Sequence, residues 1–274
     1  MTVPLASTHA MTTFTLRQGR VPLLISMPHN GQQIPADIAA TMQPWASAVP
    51  DTDWFLDRLY SFADELGASV INPVYSRYVI DLNRPPDGTV LYAGANNTEL
   101  CPTTGFDERP LYLPGQQPNA AEVNRRIEQY WRPYHHALRA ELDRLKAQFG
   151  YALLFDAHSI KSQVPRFFEG RLPDINFGTA DGKSAAPVLE QAIMAVPTGA
   201  YTRVLNGRFK GGYITRQYGQ PAQHIHALQL ELSQITYMDE DAFVWRPELA
   251  SQVQPVLRNV LQALLDVSPA AWRS

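Results

Sequence analysis

Two histidines stand where buried strands of this sequence are predicted to end. His29 follows the apolar run 21–27, and His158 follows the run 151–156. Open α/β sheets gather their ligands at the carboxyl ends of the strands, so both imidazoles are well placed for chemistry. Neutral imidazole is a preferred ligand of zinc-like divalent ions. Either histidine alone is equally well explained as a hydrogen-bonded structural residue, but the pair indicates a metal site.

A third ligand is expected just before a predicted helix. A catalytic zinc site keeps three protein ligands and leaves one position to water, so the two histidines require one carboxylate. Asp51 and Asp53 both precede the helix that starts near Trp54. We favour Asp53 as the ligand and keep Asp51 as the alternative, the other residue capping the helix or orienting a histidine. The same residues are also explained as a helix cap alone.

A carboxylate lies inside an apolar strand in the C-terminal third of the chain. Glu231 stands between Leu230 and Leu232 in the predicted strand 226–232. An unpaired buried charge is costly, and burial raises a carboxyl pKa toward neutrality. Such a group suits a general base that takes a proton from water and delivers it to a leaving amine. The alternative is a structural ion pair.

Guanidinium groups that suit bidentate binding of a carboxylate are also present. Asn83 and Arg84 end another predicted strand, and Arg77 lies close by. Arg216 follows the segment 210–213, which we interpret either as a substrate-covering loop or as a hairpin turn. These groups predict a small acidic substrate. Isolated arginines are usually surface groups, so Arg84 is the better candidate.

The elements that position these residues follow from the apolar spacing. Short apolar runs bounded by turn residues predict strands at 21–27, 68–74, 78–82, 151–156 and 226–232. Spacings of three and four predict helices at 54–66, 119–150, 185–194 and 255–267, the second with an Asn119 cap, an interruption at Pro133 and an end at Gly150. Because strands and helices alternate, we expect a layered α/β domain.

Composition limits the class of protein. With 274 residues and 45% hydrophobic content, the chain is expected to form one domain spanning residues 1–274. Residues 85–118 are rich in Pro, Gly, Asn and Thr and predict a long irregular excursion that shapes the site. A formal net charge of −3, without runs of like charge, gives no reason to expect nucleic acid or a membrane as a partner.

Cysteine use and the N-terminal residues predict a cytoplasmic protein. Cys101 is the single cysteine, so an intrachain disulfide is excluded and a reducing compartment fits. The first twenty residues show no basic start followed by an apolar run.

Four segments of the sequence show a family resemblance. They are residues 26–31, 75–85, 156–159 and 210–216. Together they resemble the N-formylglutamate amidohydrolase (deformylase) family, and the resemblance extends from His29 through Glu231. It implies a three-layer α/β fold with a central mixed, mostly parallel sheet, similar to that of zinc carboxypeptidases. It also implies metal-dependent hydrolysis of N-formyl-L-glutamate to formate and L-glutamate, the last step of one route of histidine degradation.

The resemblance also implies roles for individual residues. In the wider fold group two histidines and a carboxylate hold the metal, a late glutamate acts as base, and an asparagine-arginine pair binds the substrate carboxylate. The residues that match by position and type are His29, His158, Glu231, Asn83 and Arg84. Zinc carboxypeptidases place their carboxylate ligand three residues after the first histidine, where this chain has Gln32. The third ligand therefore stays open between Asp51 and Asp53.

The sequence predicts one divalent ion, zinc by preference, and leaves three other functions to be tested. One is another N-acyl-amino-acid deacylase, and another is a carboxypeptidase-like hydrolase, because the same ion and base serve any amide. The third is a non-catalytic carboxylate-binding or metal-binding protein in which Glu231 is only structural.

Overall fold

A central β-sheet organises the protein, whose computed structural model describes residues 12–90 and 96–272. The strands of this sheet are β1 Phe14–Arg17, β2 Leu23–Ser26, β3 Ser69–Pro73, β4 Ala152–Ile160, β5 Ile175–Gly178, β6 Arg203–Leu205 and β7 Ile225–Ser233. Their order in the sheet is β1-β3-β2-β4-β7-β5-β6. A small second sheet pairs β8 Met238–Asp239 with β9 Val244–Trp245.

The middle of the main sheet is parallel and its edges are mixed. Strands β3, β2, β4 and β7 run in one direction, whereas β1 is antiparallel to β3 and β5 is antiparallel to β7. Every residue of β2, β4 and β7 is buried, as expected for parallel strands that are covered on both faces. The predicted α/β fold with a mixed, mostly parallel sheet is confirmed.

Helices cover both faces of the sheet. They are α1 Ala36–Ala39, α2 Leu56–Leu59, α3 Ala63–Leu66, α4 Ala120–Arg126, α5 Arg132–Phe149, α6 Pro187–Ala195, α7 Tyr213–Tyr218 and α8 Pro247–Asp266. Leu23 of β2 shares an apolar core with Leu257 of α8, whereas Leu24 shares a second core with Leu138 of α5. Successive side chains of a strand point to opposite faces, so the two cores give three layers.

Four of the five predicted strands are confirmed as β2, β3, β4 and β7, although β4 continues to Ile160. The prediction of a strand at 78–82 is wrong. These residues are buried, but they form turns in which the Val79 N–H donates to the Ser76 carbonyl and the Arg84 N–H donates to the Asp81 carbonyl. Backbone groups that are satisfied locally allow burial without a strand.

The single helix predicted at 54–66 is wrong, because the chain forms the two short helices α2 and α3 there. Phe55 has a φ of 61° and lies in the left-handed region, which cannot continue a right-handed helix. The helix therefore starts only after Phe55. No described helix is long and apolar enough to cross a membrane.

The helix predicted at 119–150 is present with a local change of winding. The Asn119 side chain accepts a hydrogen bond from the Glu122 N–H at 3.0 Å, and Gly150 ends the helix with a φ of 81°. A π-helical turn at Ile127–Trp131 separates α4 from α5 just before Pro133. The N-terminal cap, the interruption and the end are thus all confirmed.

The remaining predicted elements have mixed outcomes. Helix α6 confirms the prediction at 185–194, and α8 contains the predicted 255–267 but already begins at Pro247. Helix α7 begins after Gly212, so the hairpin-turn alternative for 210–213 is wrong. The described part of 85–118 contains turns and isolated bridges but no helix or strand, and residues 91–95 lie outside the described residues. That the chain forms one domain stays a prediction.

A buried histidine in α5 makes the stability of the fold depend on pH. His135 is buried, its Nε2 lies 2.8 Å from the Leu82 carbonyl oxygen, and its Nδ1 lies 2.8 Å from the Tyr218 hydroxyl. Burial lowers the pKa of His135 from 6.5 to about 3. The unfolded chain therefore takes up this proton first as the pH falls. The part of the free energy of unfolding that depends on neutral His135 is fully present above pH 6.5 and is lost progressively as the pH falls toward 3.

We expect His135 to remove about 2 kcal/mol of stability between pH 7 and pH 5. In urea unfolding at both pH values, His135→Gln should lose less stability over this interval than the wild type, since glutamine does not titrate. The matched control is His136→Gln on the exposed side of α5, which should keep the wild-type loss. An equal loss in His135→Gln and the wild type would contradict this assignment.

Candidate active site

Two histidines and one aspartate converge at the carboxyl ends of the parallel strands. His29, Asp53 and His158 each present a nitrogen or oxygen atom, and these atoms all lie within 4.8 Å of one another. All three side chains are buried. Two imidazoles and a carboxylate are a ligand set that zinc-like ions accept, so the three residues form a possible metal-binding triad.

The fold brings these residues together through three different segments. His29 lies in the turn that follows β2, and His158 lies near the carboxyl end of β4. Asp53 is held against both, because its N–H donates to the His29 carbonyl and its carboxylate accepts from the Ser159 N–H, each at 3.1 Å. Since β2 and β4 are parallel neighbours, their carboxyl ends meet at one edge of the sheet.

Each imidazole has a further carboxylate behind it. His29 Nε2 lies 2.7 Å from Asp81 Oδ1, and His158 Nε2 lies 3.0 Å from Asp156 Oδ2. The opposite nitrogens face Asp53 Oδ2, with His158 Nδ1 at 3.1 Å and His29 Nδ1 at 3.7 Å. Carboxylates that accept from the distal ring nitrogen orient metal-binding histidines in many proteins. Both Nδ1 atoms are therefore directed at the same point as the Asp53 carboxylate.

Sequence reasoning assigned neither of these rear carboxylates a role. Asp156 precedes His158 by two residues on one strand, so the two-residue alternation of strand side chains places both on the same face. That signal was present in the sequence. Asp81 lies in the segment that was wrongly predicted as a strand, and no local pattern pairs it with His29.

Positive charge nearby keeps Asp53 of the triad and Asp81 behind His29 ionised despite their burial. Burial alone would raise the pKa of Asp53, but His29 and His158 outweigh it and lower this pKa well below its ordinary value. Burial likewise opposes the charge of Asp81, whose pKa is held low by His29, Arg77 and Arg84. Both carboxylates are thus anionic.

The alternative ligand, Asp51, points elsewhere. Its Oδ2 accepts from the Tyr78 hydroxyl at 2.6 Å and from the Phe106 N–H at 2.8 Å. Burial raises the pKa of the Asp51 carboxyl, although both hydrogen bonds act in the opposite direction. The structure therefore brings Asp53, and not Asp51, to the imidazoles, and Asp51 instead ties the irregular excursion to the site.

Glu231 lies beside the triad because of strand register. Its backbone pairs directly with that of His158 across the parallel strands β7 and β4, so the two side chains leave the sheet on the same face. Glu231 is buried, and burial, with a smaller contribution from the Asp53 carboxylate, raises its pKa to about 8 even though His158 opposes the shift. A carboxyl with this pKa can hold or release a proton near neutral pH.

Asn83 and Arg84 are held rigidly at the cavity wall. The Asn83 Oδ1 accepts from the Ile214 N–H at 2.8 Å, and its Nδ2 lies 3.0 Å from His158 Nε2. Arg84 donates from Nε to the Thr98 carbonyl at 3.0 Å and from Nη2 to the Thr98 hydroxyl at 2.9 Å. Both residues line the same cavity as the triad.

The two remaining predicted arginines differ in position. Arg77 lines the cavity, but its Nη2 donates to Asp81 Oδ2 at 2.7 Å, and its Nη1 lies 3.9 Å from Asp53 Oδ1. Its charge thus balances carboxylates of the protein. Arg216 is exposed on α7, where its Nε donates to the Gly211 carbonyl, and it is not part of the cavity wall.

One cavity collects these groups and others that the sequence did not indicate. Its wall includes the triad, Glu231, Asn83 and Arg84. Arg208, Gln229, Phe106, Phe167 and Phe209 also line it. Most of these additional residues come from loops, whose sequences have no periodic spacing that would indicate a position at the site. Cationic, apolar and carboxylate groups around a potential metal position suit hydrolysis of a small anionic substrate.

Comparison with known proteins finds relatives that share one name. The family model of N-formylglutamate amidohydrolase matches residues 21–238. A Pseudomonas putida protein named N-formylglutamate deformylase is 55% identical over 255 residues, which cover 92% of this chain and 95% of that protein. A protein of the same name from Pseudomonas aeruginosa is 55% identical over 254 residues, with the same shares of the two chains covered.

Solved structures show the same fold. The crystal structure of N-formylglutamate amidohydrolase from Ralstonia eutropha JMP134 aligns with a TM-score of 0.77 and 26% identity over 92% of this chain and 97% of that chain. A gene product of Agrobacterium tumefaciens aligns with a TM-score of 0.69 and 16% identity over 93% of this chain and 97% of that chain. At this identity the likeness shows a shared fold only. By the extent of the family match and the identity to its relatives, this chain belongs to the N-formylglutamate amidohydrolase family.

Proposed function

We propose that this protein hydrolyses N-formyl-L-glutamate to formate and L-glutamate with the help of one zinc ion. The observation that supports this most strongly is the convergence of His29, Asp53, His158 and Glu231 on one cavity wall. Two relatives that are 55% identical bear the name N-formylglutamate deformylase. The resemblance of the sequence segments leads to the same reaction.

His29, Asp53 and His158 are the residues that we propose as zinc ligands. The donor atoms suit zinc, because both Nδ1 atoms and an anionic carboxylate face one point. Asp81 is hydrogen-bonded to His29 Nε2, and Asp156 Oδ2 lies 3.0 Å from His158 Nε2. Zinc bound there would supply Lewis acidity, which polarises the formyl carbonyl and lowers the pKa of water. The mixture of two imidazoles and one carboxylate favours zinc over magnesium or calcium, which prefer oxygen ligands.

Glu231 is the proposed proton carrier. It takes a proton from the attacking water as the new C–O bond forms, and it delivers this proton to the glutamate nitrogen as the C–N bond breaks. Formate and the free amine are then the products, and atoms balance because one water is consumed. The position of Glu231 next to His158 and its raised pKa support this role.

Asn83 and Arg84 are the proposed binders of the substrate α-carboxylate. Arg84 is fixed by Thr98, and Asn83 is fixed by the backbone of α7, so little conformational freedom is lost when the carboxylate binds. Gly212 allows this arrangement, since a Cβ atom there would lie 2.2 Å from Asn83 Nδ2. Arg77 is assigned to balancing Asp81 and Asp53 rather than to substrate binding.

We also propose that the reaction is the last step of a histidine-degradation route and takes place in the cytoplasm. The family membership supports the pathway, since N-formylglutamate is a product of one such route. The single cysteine, Cys101, is consistent with a reducing compartment.

The direct test is formate release from N-formyl-L-glutamate by the zinc-loaded protein. We expect release to be lost on treatment with a chelator and to return when zinc is added, because the ligand set binds the ion reversibly. N-acetyl-L-glutamate and a dipeptide with C-terminal glutamate serve as comparison substrates. Cleavage of these instead of the formyl compound would identify another deacylase or a peptidase, and chelator-resistant release would contradict the metal role.

Replacing the proton carrier separates catalysis from binding. Glu231→Gln should lower kcat by about 10²- to 10⁴-fold, because the amide keeps the shape but cannot accept the proton. Zinc content, measured by atomic emission after gel filtration, should stay at the wild-type value. Glu248→Gln on the exposed first turn of α8 is the matched control and should retain full activity. Undiminished hydrolysis by Glu231→Gln would contradict the assigned role.

A further inference from the structure

The cavity contains guanidinium groups from separate parts of the chain. Arg84 follows the buried turns after Asp81, whereas Arg208 lies in the loop between β6 and α7. N-formyl-L-glutamate carries two carboxylates, one next to the reacting amide and one at the end of its side chain. A site that accepts both anions away from bulk water needs a positive partner for each.

Arg208 is held in place at the cavity wall. Its Nε donates to the Phe167 carbonyl at 2.6 Å, and its guanidinium carbon lies 5.3 Å from the ring centre of Phe209. The side chain is half-buried. A guanidinium that is already positioned by a backbone oxygen and an aromatic ring loses little entropy when it binds a carboxylate, which favours tight and selective recognition.

The positions of the two arginines distinguish the two carboxylates. Arg84 adjoins Asn83, which contacts His158, and its Nη1 lies 3.9 Å from Asp81 Oδ2. It is therefore close to the reacting centre, where the α-carboxylate must lie. Arg208 instead contacts Phe167 and Phe209, two aromatic residues of the same cavity wall. The side-chain carboxylate of glutamate is separated from the amide by two more methylene groups and so reaches farther.

An apolar surface lies beside Arg208 and suits those methylene groups. Phe106, Phe167 and Phe209 pack around Ile160 in a small hydrophobic cluster. The rings of Phe106 and Phe167 meet edge to face, with their centres 4.9 Å apart. All four residues line the cavity. Apolar surroundings strengthen an ion pair formed there and increase the penalty when its partner is missing.

We propose that Arg208 binds the side-chain carboxylate of the substrate and thereby determines selectivity for glutamate. This inference rests on the proposed function, because it assigns the second anion of the same substrate. An uncharged side chain of equal size replaces the charge-assisted hydrogen bonds of a carboxylate to Arg208 with the weaker ones of an amide, beside the rings of Phe167 and Phe209. Such a site rejects the uncharged analogue much more strongly than loss of a surface contact would predict.

The test compares N-formyl-L-glutamate with N-formyl-L-glutamine, its isostere with an uncharged side chain. For the wild type we expect kcat/KM to favour the glutamate compound by on the order of 100-fold. Arg208→Gln should abolish most of this ratio by slowing the glutamate compound alone. Arg84→Gln should slow both compounds and leave the ratio, since both carry the α-carboxylate. Arg208→Lys, which keeps the charge but not the planar fork, should retain part of the preference.

A matched control removes a nearby charge that does not line the cavity. Lys210 pairs with Asp181 at 3.0 Å, and Lys210→Gln should keep the wild-type ratio. If Arg208→Gln leaves the ratio of the two kcat/KM values unchanged, whether or not both reactions become slower, the proposed role of Arg208 is wrong. The proposed function would then remain intact. A wild-type protein that hydrolyses neither compound would overturn the proposed function and this inference together.

Discussion

The buried carboxylates around two imidazoles are the constraint on which the rest of the site depends. Asp53, Asp81 and Asp156 are almost fully buried and lie within hydrogen-bond or ion-pair distance of His29 or His158. Charges removed from water cost free energy unless opposite charge compensates them. Arg77 supplies part of that compensation through Asp81. Asp53 faces both Nδ1 atoms while Asp81 and Asp156 lie at the Nε2 atoms, and this surplus of buried negative charge is the physical reason why we propose a divalent cation there.

The sheet determines where this charge can be placed. Along β4 the side chains on the α5 face change from apolar Leu154 to Asp156 and then to His158. The direct pairing of His158 with Glu231 on β7 brings the proposed base beside the proposed ligand without any loop. A slip of one residue would move Glu231 to the opposite face of the sheet. Register, rather than loop conformation, therefore places the proposed base beside the proposed metal ligand.

Much of the site was predictable because it lies on or next to regular strands. Apolar runs locate β2, β4 and β7, and these place His29, His158 and Glu231 at one edge. The choice of Asp53 over Asp51 required tertiary structure, since both precede the same turn and only contacts distinguish them.

Other features left no local signal. Residues 78–82 are as apolar as a strand, yet their backbone bonds close into turns that aim Asp81 at His29. The left-handed conformation of Phe55 delays the start of a helix that spacing alone predicts from Trp54, and residues 60–62 then separate α2 from α3. Arg208 is positioned by a backbone oxygen and a ring from separate loop segments, whereas Arg216, which has a clearer local motif, lies on the exposed side of α7.

We propose that both Nδ1 atoms and the Asp53 carboxylate hold one zinc ion. Anomalous diffraction at the zinc absorption edge, from crystals of the zinc-loaded protein, would locate the ion and its ligands. We expect one strong peak within bonding distance of His29 Nδ1, His158 Nδ1 and an Asp53 oxygen, with Asp81 and Asp156 retained at the Nε2 atoms. A peak ligated by Asp51, or binding through the Nε2 atoms with both rings turned away from Asp81 and Asp156, would contradict it.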